Sequence, residues 1–116
     1  MSIQQQPGKK PLGPPPPPTW GETTPVGETA RVVRFVLADR VVTFPFSELK
    51  RWEHVAGEPE FLMIHAGKEI ITVEGTELAV VRAALDLARL GELRPNHERS
   101  GARPGPRVRQ ITIEPA

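Results

Sequence analysis

Between residues 61 and 90 the hydrophobic pattern changes period. Residues 61–74 alternate with period two, as paired strands do, and residues 78–90 repeat with helical spacing. The two meet at Glu74-Gly75-Thr76, a strand end followed by a residue type that caps helices. Gly67 and Lys68 supply a two-residue turn with glycine first, which suits type II′. The register that follows sets Ile64 opposite Ile71 and Leu62 opposite Val73. An earlier hairpin spans residues 31–46. With its turn at Asp39-Arg40, Leu37 faces Val42, Phe35 faces Phe44 and Val33 faces Phe46, all on one face. Asp-Arg is a mediocre turn because the second position prefers glycine, so a longer loop is the alternative. Pro45 removes a ladder donor and places that strand end at an edge or bulge.

Residues 47–59 admit two readings. Leu49, Trp52 and Val55 lie three apart, as on a helical turn that Ser47 caps. Read instead as a strand over 50–56, turning at Gly57-Glu58-Pro59, the segment sets Trp52 opposite Ile64, and this is the preferred reading. Residues 76–90 form the helix, with Thr76 as cap, Glu77 in the first turn, Arg89 in the last and Gly91 as the stop. Arg82, Asp86 and Arg89 make a narrow polar stripe. Val80, Val81, Ala84, Leu85, Leu87 and Ala88 fill well over half the circumference. A helix lying on one sheet needs an apolar stripe of roughly 100°, so the excess points to a second contact surface. Ile111 and Ile113 flank Thr112 in a strand that returns to the sheet.

The expected fold is α+β: a small antiparallel sheet of about five strands, two hairpins plus the returning C-terminal strand, with one long helix. The far faces of the hairpins are also apolar, at Val32, Val36 and Val41 and at Phe61, Met63 and Ile70. A sheet with one wet face alternates more cleanly. Part of that second face is therefore expected to be covered by a partner subunit, a tail or barrel-like closure.

Composition adjusts the boundaries. Eight of the fourteen prolines precede Val26 in a chain of 116 residues, which sizes one domain with tails. Residues 1–25 read as a disordered Pro-rich tail and 26–116 as a single domain with a flexible connector at 95–106. No cysteine is present, which removes disulfides and thiolate chemistry and fits a reducing cytoplasm. No run is long enough to span a bilayer, and residues 1–10 lack the apolar centre of a secretory signal. The chain is thus expected to be cytoplasmic, away from membranes. A net charge of +1 argues for no particular partner.

Three segments then carry a likeness: Phe44-Pro45-Phe46-Ser47-Glu48-Leu49-Lys50-Arg51-Trp52, Pro59-Glu60-Phe61-Leu62, and Ile71-Thr72-Val73-Glu74-Gly75-Thr76-Glu77-Leu78. This pattern resembles small uncharacterised bacterial proteins built from short strands, one helix and a returning strand. The resemblance covers about residues 31–93 and 108–113, rests on packing and turn residues, and implies no activity or catalytic residue. The strands-then-helix order also resembles pleckstrin-homology-like domains, with too few visible strands for a seven-stranded barrel.

Chemistry has little to start from. His54 and His65 fall on opposite strand faces and match no His-x-x-x-His or Glu-x-x-His spacing, so no metal or cofactor is expected. Ser47 and Ser100 lack a Gly-x-Ser-x-Gly context. Gly57, Gly67 and Gly75 are isolated turn glycines without a phosphate-loop pattern. The chain is not expected to be an enzyme. Pro14, Pro15, Pro16, Pro17 and Pro18, followed by Trp20, form a candidate polyproline ligand, with a plain spacer as the simpler reading and Trp20 folded back over the apolar face as a third. Residues 92–110 hold five arginines against two glutamates. Phosphate contacts from Arg99, Arg103 and Arg107 would make the chain a nucleic-acid-binding accessory protein. No aromatics interleave them, which favours a solvated loop. The expected function is a non-enzymatic protein-interaction or scaffold module acting through apolar surfaces, as a homodimer or with a protein partner. Its expected contacts are Val80, Ala84, Leu87 and Leu90 of the helix, or Phe61, Met63 and Ile70 of the sheet.

Overall fold

The computed structural model describes residues 18–96 and 105–116. Strands β1 (Gly21–Thr23), β2 (Val32–Val36) and β3 (Val41–Pro45) lead into a single 3-10 turn, Phe46–Glu48. Strands β4 (Leu49–Val55), β5 (Glu60–Ala66) and β6 (Glu69–Thr76) precede helix α1 (Ala79–Asp86), followed by β7 (Leu90–Leu93) and β8 (Arg107–Pro115).

The strands form two four-stranded sheets, not one of five, in the orders β1-β7-β2-β3 and β4-β5-β6-β8. The break falls at the 3-10 turn, which redirects the chain between the two predicted hairpins. Each hairpin has one strongly apolar face, and those two faces bury each other. Val33, Phe35 and Phe44 from one sheet share a single core with Leu62, Ile64, Ile71 and Val73 from the other. Helix α1 adds Val81, Ala84 and Leu85 to the same core.

The second hairpin and its neighbour have the expected registers: Ile64 opposite Ile71, Leu62 opposite Val73, and Trp52 opposite Ile64. Gly67 carries φ +59, the conformation a glycine-first turn needs. Residues 47–59 thus hold both a turn and a strand, with Ser47 inside the 3-10 turn rather than capping a helix. The first hairpin differs. Val33 pairs with Phe44 and Phe35 with Val42, and the turn closes around Ala38 and Asp39 by Leu37 N–H donating to the Arg40 carbonyl at 2.7 Å. The slip is two residues, so parity is kept and Val33, Phe35 and Phe44 still face the core. Phe35 and Phe44 meet edge to face at 6.0 Å and 71°. Phe46 leaves the strand and packs edge-on to Trp52 instead. Pro45 ends an edge strand, where its missing donor is harmless.

The helix is shorter than its hydrophobic period. Thr76 is the last residue of β6 and not the cap, and Gly91 lies inside β7 and not at a helix end. The helix stops on Ala88, a non-glycine residue at φ +55. Ala88 N–H bonds the Leu85 carbonyl and Arg89 N–H the Ala84 carbonyl, the two bonds of a Schellman ending.

The ordered fold begins before residue 26. Trp20 is buried in the core and Gly21–Thr23 pairs with β7, so these residues belong to the domain and not to a tail. Of the expected connector, Pro106 is buried and Asn96 is pinned. Asn96 N–H donates to the Val108 carbonyl and its Oδ1 accepts Val108 N–H at 2.6 Å. Its Nδ2 donates to Thr19 Oγ1 and to the Pro106 carbonyl. Residues 97–104 and residues 1–17 lie outside the described residues.

Candidate interaction surfaces

Helix α1 sits across the outer end of β4, and polar side chains tie it there. Residues 82 and 86 lie one turn apart on the helix. Asp86 Oδ1 accepts the indole N–H of Trp52 at 2.8 Å. Arg82 donates to His54 Nδ1 at 3.3 Å, and a guanidinium has no acceptor, so the His54 proton is on Nε2. That Nε2–H donates to Glu60 Oε1 at 2.7 Å. The polar stripe read from the sequence is therefore a helix-to-sheet fastening. Arg89, its third member, donates twice to the Thr24 carbonyl and ties down the loop after β1.

Glu60 is the residue that sequence reading missed. Its carboxylate accepts the N–H groups of Glu77 at 2.9 Å and Leu78 at 3.1 Å, which the helix itself leaves unpaired. The cap comes from the neighbouring strand, seventeen residues earlier. The hydrogen bond from His54 first, and those two backbone donors after it, hold the Glu60 carboxyl below the usual glutamate range against the opposing effect of burial. Only one signal was available: a lone acidic residue opening a strand that is otherwise apolar but for His65. On the other sheet Glu92 is depressed in the same way, by Arg94 first and then Arg34.

His54 thus has both ring nitrogens engaged in a structural link. His65 lies on the opposite face, with Nε2 3.9 Å from Glu53. Among the described residues no group of three or more acidic or histidine side chains is placed to hold a metal ion. No helix there is long and apolar enough to cross a membrane.

The expected contact residues divide. Leu87 is 61% exposed and Val80 47%, and Ala83 lies between them on the same outward stripe. Ala84 and Leu90 are in the core and present no surface. Ala84 lies on the side of the helix that carries Val81 and Leu85, and Leu90 is in β7, an interior strand. Phe61, Met63 and Ile70 are all half-buried on the outer face of the β4-β5-β6-β8 sheet. The pairings place Met63 beside Glu53 and Thr72, and Phe61 beside Val55 and Glu74. Val55 is itself 44% exposed. This is an apolar strip edged by charge.

Trp20 is 7% exposed, so it is a core residue and not an accessible anchor for a polyproline ligand. Pro18 is exposed, and Pro14, Pro15, Pro16 and Pro17 lie outside the described residues, as do Arg99 and Arg103. Arg107 opens β8 and is engaged within the fold. Arg109 pairs with Glu74 at 3.3 Å and Arg94 with Glu92.

No family model, curated protein or solved structure matches this chain.

Proposed function

We propose that this chain is a non-enzymatic protein-interaction module of the cytoplasm, acting through apolar surfaces and associating with itself. The observation that carries the reading is the outward stripe of helix α1, where Leu87 and Val80 stand in solvent after the core has taken the residues it needs. A folded chain of this size gains nothing from leaving such side chains in water, and exposed apolar patches rimmed by polar groups mark contact sites. The half-buried strip of Phe61, Met63 and Ile70 supports the same reading from a second element. The absence of cysteine suits a reducing compartment.

Sedimentation velocity over a concentration series tests self-association. The expected result is a weight-average coefficient that rises with concentration in the micromolar range. Leu87→Asp and Met63→Asp, both at positions with solvent access, then test each apolar surface in turn: association should weaken where that surface takes part in the contact and stay unchanged where it does not. A boundary that stays monomeric at every concentration would reject the self-associating form of the proposal.

A further inference from the structure

We propose that a second copy of this chain pairs with the free edge of β8, in antiparallel register about Thr112. This names the surface used for self-association and so rests on the function proposed above. The four sheet edges are not equivalent. Strand β1 has three residues, β3 has five and ends on proline, and β4 is fastened under helix α1. Strand β8 has nine residues, and its inner side is paired to β6 along its length. An unpaired row of N–H and C=O groups on a long edge is a template for another strand.

The window left open is short and symmetric. Ala116 N–H bonds the Lys68 carbonyl, which fixes the alternation, so the backbone groups of Gln110, Thr112 and Glu114 point toward β6. Those of Ile111 and Ile113 therefore point outward. At one end Val108 is already satisfied by Asn96 on both its N–H and C=O. At the other end Pro115 has no N–H to give. Between these stops, among the described residues, the outward groups of Ile111 and Ile113 are the ones without a strand partner. A two-fold axis through Thr112 sets Ile111 of each copy against Ile113 of the other and uses all of these groups.

The side chains fit the same axis. On the outer face Thr112 meets the Thr112 of the second copy, a favourable cross-strand pair, and Gln110 meets Glu114. No like charges face each other. On the inner face Ile111 and Ile113 extend the core, and Ile113, which is half-buried in the single copy, becomes covered. Moving the axis to Ile111 would instead oppose Ile113 to Arg109, which sits at the β8 irregularity opposite Glu74 and Gly75. Space for the incoming strand exists. A groove of about 540 Å³ runs along residues 109–114, walled on its far side by Leu37, Ala38, Asp39 and Arg40. Pairing would join the two β4-β5-β6-β8 sheets into one, with their Phe61, Met63 and Ile70 strips on the same side.

The chain has no cysteine, so Thr112→Cys introduces a single thiol. Residues facing across a non-hydrogen-bonded antiparallel site have Cα atoms about 4.5 Å apart, within disulfide reach. Under mild oxidation with diamide, Thr112→Cys is expected to be trapped as a covalent dimer, and Gln110→Cys, which faces Glu114, is not. Thr112→Lys is expected to sediment as a monomer with an unchanged circular dichroism spectrum. A wild-type dimer that Thr112→Lys leaves intact, with Thr112→Cys uncrosslinked, overturns the strand pairing and leaves self-association through another surface standing. A wild-type chain that is monomeric throughout, with Thr112→Cys uncrosslinked, overturns both.

Discussion

The two sheets have the same number of strands but are assembled by opposite routes. In β4-β5-β6-β8, three strands are consecutive and joined by short turns. In β1-β7-β2-β3, only β2 and β3 are both consecutive and paired. Strand β7 comes from beyond the helix, pairs parallel to β2, and brings β1 in on its other side. Turn chemistry fixes the first sheet locally. The second is fixed by which chain segments remain to cover an apolar face, and that is a property of the whole molecule. The contrast also separates two kinds of stabilisation: one core that both sheets share, and local devices that each keeps for itself.

The sharpest way to break this comparison is to ask whether the sheets unfold apart. Phe35→Ala removes a fully buried ring from β2, and Ile64→Ala a fully buried side chain from β5. Each should cost about 3–5 kcal/mol, and both should lower one common transition in urea, since both residues line the same core. Two separable transitions by fluorescence and circular dichroism would show that the sheets have independent cores.

A smaller effect should separate them. Gly75 in β6 and Gly21 in β1 both lie where a Cβ would strike a facing backbone carbonyl, at 1.9 Å from Arg107 O and 2.1 Å from Glu92 O. Gly75→Ala lies in an interior strand and should cost about 3 kcal/mol, at the upper end for overpacking. Gly21→Ala lies in a three-residue edge strand that can peel away, and should cost about 1 kcal/mol, with lost amide protection confined to β1 and its neighbour. Equal losses, measured by chemical denaturation, would mean that β1 is as integral as β6.

Glu60 should come next. Glu60→Ala leaves two helix N-terminal donors and one histidine donor without their acceptor, at a cost of about 2 kcal/mol. The matching acid response has a definite sign. The carboxyls of Glu60 and Glu92 are held below the ordinary range in the folded state. Their contribution is therefore complete above the unfolded glutamate value and is lost as pH falls through the lower folded value. Melting temperature should drop on acidification below the usual glutamate range, less steeply in Glu60→Gln than in the wild type. A Glu60→Gln slope equal to the wild type would remove Glu60 as a source of the acid response.

The smallest expected effect is a gain. Ala88 holds a left-handed conformation that an L-residue adopts at a cost and glycine does not. Ala88→Gly should stabilise by about 1 kcal/mol, read as a rise in the denaturation midpoint. A lower midpoint would mean that the Ala88 methyl contributes more in packing than its backbone strain costs.

What the sequence carried follows the same divide. Gly67-Lys68 set one register correctly because a glycine-first turn leaves no alternative, and Trp52 opposite Ile64 follows from the adjoining turn. The first hairpin slipped because Asp39-Arg40 imposes no turn of its own. Strand β1 has no apolar residue to announce it, and β7 has two leucines flanking a glycine and a glutamate, which reads equally as a helix end. Parity was legible in the two hairpins, and for that reason their core residues were. Of the contact surface, Val80, Leu87, Phe61, Met63 and Ile70 kept some exposure, whereas Ala84, Leu90 and Trp20 were taken by a second sheet that periodicity does not reveal.

Asn96 has one more consequence. By holding the Val108 carbonyl with its backbone N–H and the Val108 N–H with its side-chain Oδ1, it acts as a clasp that joins the chain on either side of residues 97–104. An insertion between residues 96 and 105 begins and ends at that clasp, and lengthening it should be felt as loop entropy, about 0.6 kcal/mol for each doubling. The same fold could therefore carry a reporter peptide or a small inserted domain at that site, and Asn96→Ala would be the change that makes such a graft destabilising.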